Sequence, residues 1–268
     1  VTASSARPHE LAGLWRRSLL VRADGTRDIT TSVSWLQGER TFIDLRQPAT
    51  VPAAASFGRC RNELSRAGCL ELAEQQGFAG RLNFDGVYFE WVRSLDFQPP
   101  TASADAGSLG WDGNVLVERG RDVAYLEHWQ REAAAPPRPV CALKLRDNAE
   151  GVQGFLLRIG DCFMFARDRA AAVTPQHTLR QCIEQVPSLA EARALVDCEI
   201  SLGEVRAGSL HITASTLPYR VDDVLDPRLA RSALAVSDRT SAGALCQRSF
   251  EIVEIEGEPD DLLRDPAR

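Results

Sequence analysis

Short runs of alternating apolar and polar residues, each closed by a glycine-containing turn, recur along the first half of this chain. Asp24-Gly25, Asp85-Gly86 and Asp112-Gly113 are turn dipeptides, and Gly38-Glu39 and Gly120-Arg121 punctuate the pattern in the same way. Between them the sequence predicts eight strands, at about 14–22, 30–37, 40–47, 78–84, 87–97, 107–111, 115–119 and 122–132. One stretch, 63-ELSRAGCLELAEQQG-77, reads as a helix with Gly77 at the C′ position. Short strands joined by tight turns describe an up-and-down antiparallel meander. Such a meander removes its open edges by closing into a barrel. The expected fold class is mainly β with minor α.

The segment 133-AAAPPRP-139 breaks both periodicities and reads as a linker. Beyond it the order of events restarts, with strands at about 140–146, 152–159 and 162–168, helical stretches within 178–197, then 198-CEISLGEV-205 and 209-SLHITASTL-217. Arg46 to Gly86 spans 40 positions and Arg167 to Gly208 spans 41, and 42-FIDLR-46 and 163-FMFAR-167 keep a Phe and an Arg at matching places. We expect two repeated barrel units, 1–132 and 140–268. The alternative is two unrelated strand–helix–strand runs that coincide. Residues 221–243 show no clear pattern before a last strand within 245–256, and 257–268 reads as a frayed end or short peripheral helix.

Period-two alternation puts Phe42, Asp44 and Arg46 on one face of their strand, and Thr41, Ile43 and Leu45 on the other. The second face is apolar enough to pack against the helix or the second unit. The first mixes an aromatic with two charges, as the wall of a polar lumen would. If that face were solvated, its Asp–Arg pair would contribute at most about 1 kcal/mol. Partner strands repeat the mixture. Val87, Phe89, Trp91, Arg93, Leu95 and Phe97 share one face, as do Tyr125, Glu127 and Trp129. The candidate ligand-binding residues are therefore Arg46, Trp91, Arg93, Tyr125, Glu127 and Trp129, with Asp44 and Glu127 as weak catalytic candidates. Buried arginines need mates, so Arg46 and Arg93 should find Asp44, Glu127 or an anionic ligand.

Several chemistries are excluded by what the sequence lacks. Lys144, the only lysine, is flanked by leucines, so there is no Gly-Lys-Ser/Thr phosphate loop. There is no GxSxG nucleophile elbow and no GxGxxG dinucleotide fingerprint. The four histidines, 9, 128, 177 and 211, are never three or four residues apart, so no helical zinc motif is present, and His211 reads as a sheet histidine rather than a base. The seven cysteines are odd in number and form no CxxC, which suits reduced, buried thiols. No cofactor and no metal are expected.

A net charge of −6, spread along the chain, gives nucleic-acid binding no electrostatic support. With no run of eighteen apolar residues and no signal-peptide pattern in VTASSARPHELAGLW, we expect a cytoplasmic protein without a membrane span. A homo-oligomer is left open.

The stretches SVSWLQGERTFIDLRQP, LAEQQGFAGRL, EWVRSLDFQPP, YLEHW, GDCFMFARDR and ITASTLPYR resemble a group of bacterial proteins distantly akin to a fungal lipocalin-like group. The resemblance covers most of the chain. It implies a lipocalin-like (calycin) barrel architecture in two units, and brings no assigned reaction, cofactor or catalytic residue. It also leads one to expect a second polar group beside Trp91, where this chain has Val92. The leading functional expectation is a small-molecule-binding barrel with an anionic, partly aromatic or apolar ligand. One alternative is a cofactor-independent cyclase, isomerase or lyase in the same lumen. Another is a protein–protein adaptor with solidly filled barrels.

Overall fold

The computed structural model describes residues 4–100, 102–132 and 140–263, so the expected linker at 133–139 lies outside the described residues. Two antiparallel sheets dominate. The first contains β1 (Ser4–Ser5), β2 (Gly13–Arg22), β3 (Arg27–Asp28), β4 (Ser32–Gln37), β5 (Thr41–Gln47), β6 (Gln76–Phe84), β7 (Phe89–Asp96), β8 (Ala106–Asp112), β9 (Val115–Gly120) and β10 (Tyr125–Arg131). From β4 to β10 each strand pairs with the next, and β2 pairs with both β4 and β10. Eight strands thus form a closed meander barrel, with β1 added on β8 and β3 on β2. Gly25, Gly86 and Gly113, the glycines of the Asp-Gly turns, have φ of +82°, +104° and +62°, where a Cβ would be strained.

The second sheet holds β11 (Val140–Asp147), β12 (Gln153–Ile159), β13 (Cys162–Arg167), β14 (Glu199–Arg206), β15 (Ser209–Ser215), β16 (Arg228–Ala230), β17 (Ala233–Arg239) and β18 (Leu245–Gly257). Its order is β15-β14-β13-β12-β11-β18-β17-β16, which retraces the order of the first sheet. Helix α1 (Arg66–Leu72) lies between β5 and β6, as α2 (Leu179–Gln185) and α3 (Leu189–Leu195) lie between β13 and β14. This sheet curls without closing, because β15 and β16 do not pair. Residues 223–225 cross the gap instead: Ile212 N–H donates to Asp223 O (2.9 Å) and Ser237 N–H to Leu225 O (2.6 Å). Asp222 and Asp226, at φ of +72° and +43°, break this segment out of a regular ladder. Residues 221–243, unreadable in sequence, therefore supply β16, β17 and the strap across the opening.

Two local expectations are corrected. Gly77 does not cap the helix, which ends at Leu72; it lies in β6. A Cβ there would stand 2.7 Å from Asp44 O and 2.8 Å from Ile200 Cδ1, so this glycine serves close approach. The face shared by Phe89, Trp91 and Arg93 does not continue to Leu95 and Phe97. The register of β6 against β7 shifts between Ala79 and Gly80, leaving Ser94 as an extra residue that reverses the alternation. Leu95 and Phe97 accordingly join the core between the sheets, while Phe89 and Trp91 stay inside the barrel.

That intervening core is built as the sequence suggested. Leu36, Ile43 and Leu45 on the barrel's outer face pack with Leu157, Met164, Ala166, Ile200 and Leu202 of the second sheet and with Cys69, Leu72, Ile183 and Leu195 of the helices. Each buried aliphatic chain contributes roughly 1.5–3 kcal/mol. A polar clamp adds to it. The Glu256 carboxylate of β18 accepts from the N–H groups of Glu39 (2.6 Å), Arg40 (3.0 Å) and Thr41 (3.0 Å), and from the Thr41 hydroxyl (3.0 Å). Of the two expectations for the tail, the short peripheral helix is what the described residues have: a 3-10 helix at Pro259–Leu262, docked where Arg158 donates to the carbonyls of Asp261 (3.0 Å) and Leu262 (2.8 Å). No described helix is long and apolar enough to cross a membrane.

Candidate functional site

Inward positions of the first barrel are sorted by chemistry along its length. One end is aromatic: Trp15 of β2, Trp35 of β4, Phe42 of β5, Phe89 and Trp91 of β7 and Trp129 of β10 are buried together. Trp35 is central, with its ring 5.7 Å from Trp91 and 5.4 Å from Trp129, both edge-on, and 5.8 Å from a stacked Trp15. These are the arrangements that the ring quadrupole favours.

Towards the other end the same strands carry charge. Arg17 donates to Glu127 (2.7 Å) and to Asp28 (3.0 Å). Arg46 donates to Asp44 (2.8 Å) and stands 3.8 Å from Glu127. Arg93, on the far wall, donates to Asp96 (2.9 Å) and Asp105 (2.5 Å). Its guanidinium lies 3.5 Å from the centroid of the Phe78 ring, with Arg46 4.9 Å from the same ring. Burial opposes the charge on Arg46, but Asp44 and Glu127 outweigh it and bind the proton more tightly than usual. For Arg93, Asp105 and Asp96 outweigh burial in the same way. Asp28 is held well below the usual carboxylate range: burial works against it, and hydrogen bonds from Thr31 and Thr30 together with Arg17 prevail.

A cavity of about 620 Å³ opens at this end, walled by Arg46, Arg93, Asp105, Glu118, Tyr125 and Glu127, with Leu20, Val123 and Ala124 giving apolar surface. Of the residues expected from sequence, Arg46, Arg93, Tyr125 and Glu127 line it. Trp91, Trp129 and Asp44 instead border a void of about 10 Å³, which shares Arg46, Asp105 and Glu118 with the cavity. Of the six candidate ligand-binding residues, Trp91 and Trp129 are thus packed in the aromatic part of the barrel and do not line the cavity.

Three further residues were not singled out in the sequence. Arg17 follows Trp15 at inward parity, and Glu118 follows Leu116 in the same manner, so the signal was present in 14-LWRR-17 and 115-VLVE-118. Asp105 precedes its strand and carries no such signal. Glu118 is 4% exposed and accepts from the Tyr125 hydroxyl (2.6 Å) and the Trp129 indole N–H (3.0 Å). Burial pushes its carboxyl up to about 8, and the nearby charges of Glu127 and Asp105 add to the push. Burial and Glu118 likewise raise Tyr125 above its ordinary value. The Tyr125 ring is seated against Gly120, where a Cβ would come within 2.4 Å of it and 2.1 Å of Val123 O.

The concave face of the second sheet is filled. Arg167, the counterpart of Arg46, donates to Asp197 (2.9 Å). Arg220, 1% exposed, spans the interior from Glu199 (3.1 Å) to the Ser237 carbonyl (3.0 Å). A cluster including Leu143, Leu156, Phe163, Phe165 and Phe250 occupies the remainder. All seven cysteines are free thiols, and burial pushes Cys162 and Cys198 up to about 11. Among the described residues no group of three or more His, Cys, Asp or Glu side chains is placed to hold a metal ion.

No protein-family model matches the chain. No curated protein matches it in sequence. Among solved structures it is similar to the uncharacterized protein YLR301w from Saccharomyces cerevisiae, at 12% identity and a TM-score of 0.51, over 91% of this chain and 98% of that one. That likeness shows a shared fold, in a fungal protein. A second match, the DNA polymerase III beta subunit of Thermotoga maritima, has a TM-score of 0.13 and 8% identity over 95% of this chain and 78% of that one, and carries no argument.

Proposed function

We propose that the protein binds a small molecule in the open end of its first barrel, in the manner of a lipocalin-like carrier. The observation that carries this is the contrast between the two halves. The first barrel keeps a cavity of about 620 Å³ walled by a few fixed polar groups and some apolar surface. The second has its interior filled by side chains. Ligand sites have this concave, mixed character. Filled interiors in both halves would instead favour an adaptor. The parallel strand orders and the matching positions of Arg46 and Arg167 support a duplication divided at 133–139, in which one copy retained a cavity. Native mass spectrometry of the purified protein tests the reading. A small molecule carried by the wild type and lost in Gly120→Ala is expected. An empty chain that takes up nothing from a fragment library would overturn it.

Glu118 favours a second reading, a cofactor-independent isomerase, cyclase or lyase in the same lumen. Asp44 and Glu127, the candidates from sequence, are tied to Arg46 and Arg17. Glu118, with its carboxyl pushed up to about 8, is better suited to hand over a proton. Exchange of carbon-bound hydrogens of a bound ligand in deuterated water would separate an enzyme from a carrier.

A further inference from the structure

Resting on that binding reading, we propose that the cavity takes an organic cation, a small ammonium- or guanidinium-bearing molecule with a compact apolar part. The charges at this end do not balance. With Glu118 protonated, Asp28, Asp44, Asp96, Asp105 and Glu127 in and around this end face Arg17, Arg46, Arg93 and, beside Asp96, Arg169, which leaves one carboxylate in excess. At the rim, Arg22 and Asp24 offset each other. Arg46 and Arg93, which from sequence would hold an anion, are already engaged by carboxylates on each side. An anion must displace those partners and join a surplus of its own sign. A cation offsets the excess instead of adding to it, and shares the oxygens of Asp105, Glu127 and Glu118 on the cavity wall with their present donors.

The carboxyls are not arranged to hold a metal ion among the described residues, and Leu20, Val123, Ala124 and the Tyr125 ring offer surface to an organic body. The same crowding explains the state of Glu118. It is faced by Tyr125, Glu127 and Trp129 from β10, by Asp105, and by Asp44 and Arg46 from β5, and burial with those acids keeps its proton on near neutrality. Arrival of an ammonium group favours the ionised form. The amine enters already protonated, and the Glu118 proton leaves to solvent. Cation uptake is therefore coupled to release of a proton.

Calorimetry with benzylamine, benzyl alcohol and benzoate, matched in shape, tests this on the intact protein, with amide NMR to locate the site. Benzylamine is expected to bind at least about tenfold more tightly than either of the others. Near about pH 7 its heat should depend on buffer ionisation as for release of roughly one proton, and that dependence should vanish in Glu118→Gln. Asp105→Asn should weaken benzylamine at least about tenfold, while Arg121→Ala, whose side chain pairs with Asp122 outside the cavity, should not. Because proton release is read on the wild type, a variant that fails to fold does not decide the matter. Tightest binding by benzoate, engaging the Arg93 Nε that is buried without a partner among the described residues, would overturn the cation and leave the binding site standing. Tightest binding by benzylamine without proton release would keep the cation and overturn its coupling to Glu118. If none of the three perturbs the cavity amides, the site itself falls and this inference with it.

Discussion

Tyr125 donates a 2.6 Å hydrogen bond diagonally to Glu118 of the neighbouring strand, whose opposite residue is Glu127, at the mouth of the closed barrel. The pair joins the aromatic and the charged parts of the lumen, since Glu118 also accepts from Trp129 at 3.0 Å. A carboxyl with two such donors would ordinarily ionise readily. Here burial and two neighbouring acids prevail.

That balance gives a pH dependence of stability. The Glu118 carboxyl rises from its ordinary 4.5 to about 8 on folding, so the native state holds a proton that the unfolded chain releases. Its contribution is fully present below about pH 4.5 and is lost as pH rises through about 8. Denaturant melts of Glu118→Gln and wild type should diverge over this interval, the variant gaining up to a few kcal/mol relative to wild type by about pH 9. Parallel pH profiles would show that the carboxyl is ionised throughout.

Arg17 is a test of buried pairing. Its side chain is 4% exposed and bridges Glu127 and Asp28. Arg17→Met should cost about 3–5 kcal/mol, because buried Glu127 loses its 2.7 Å partner and Asp28 the one arginine bonded to it. The loss should shrink in acid as Asp28, which Arg17 helps to hold below the usual carboxylate range, takes up its proton. A change under about 1 kcal/mol in urea unfolding would mean that Arg46 covers for it.

Gly120 tests packing at the cavity wall. A methyl group there meets the Tyr125 ring at 2.4 Å and the Val123 carbonyl at 2.1 Å. Gly120→Ala is expected to lower stability by about 1–3 kcal/mol and to shift the Tyr125 ring resonances. Gly113→Ala is strained through its φ of +62° and meets nothing within 4 Å, so it should leave those resonances in place.

The joint between the halves rests on Glu256 as well as on apolar packing. Glu256→Ala leaves four donors of the turn after β4 without their acceptor, for an expected loss of about 2–4 kcal/mol. Hydrogen exchange should quicken at the amides of Glu39, Arg40 and Thr41. Unchanged protection there would show the turn to be held by its own strands.

The placement of Asp44 and Arg46 was readable in the sequence, because alternation is a local property of each strand and one buried neighbour fixes the parity of the rest. The same reasoning places Trp91, Arg93, Tyr125, Glu127 and Trp129 inward, and it marks the Asp-Gly turns. It fails at Leu95 and Phe97, because one extra residue at Ser94 reverses the parity and no composition signal announces it. It fails also at Gly77, whose role is to let Asp44 and Ile200 approach from elements far away in sequence.

What the sequence determined by itself is thus a meander of strands with mixed aromatic and charged inner faces, since strand period and turn chemistry act over a few residues. Only the tertiary structure decided that the first sheet closes while the second is crossed by residues 223–225. It alone brought Arg17, Asp105 and Glu118 to the same mouth as Arg46 and Arg93. The physical reason is that closure and register set which strands face one another across the lumen. The charge balance there is a sum over residues from all around the barrel, not a property of any one strand.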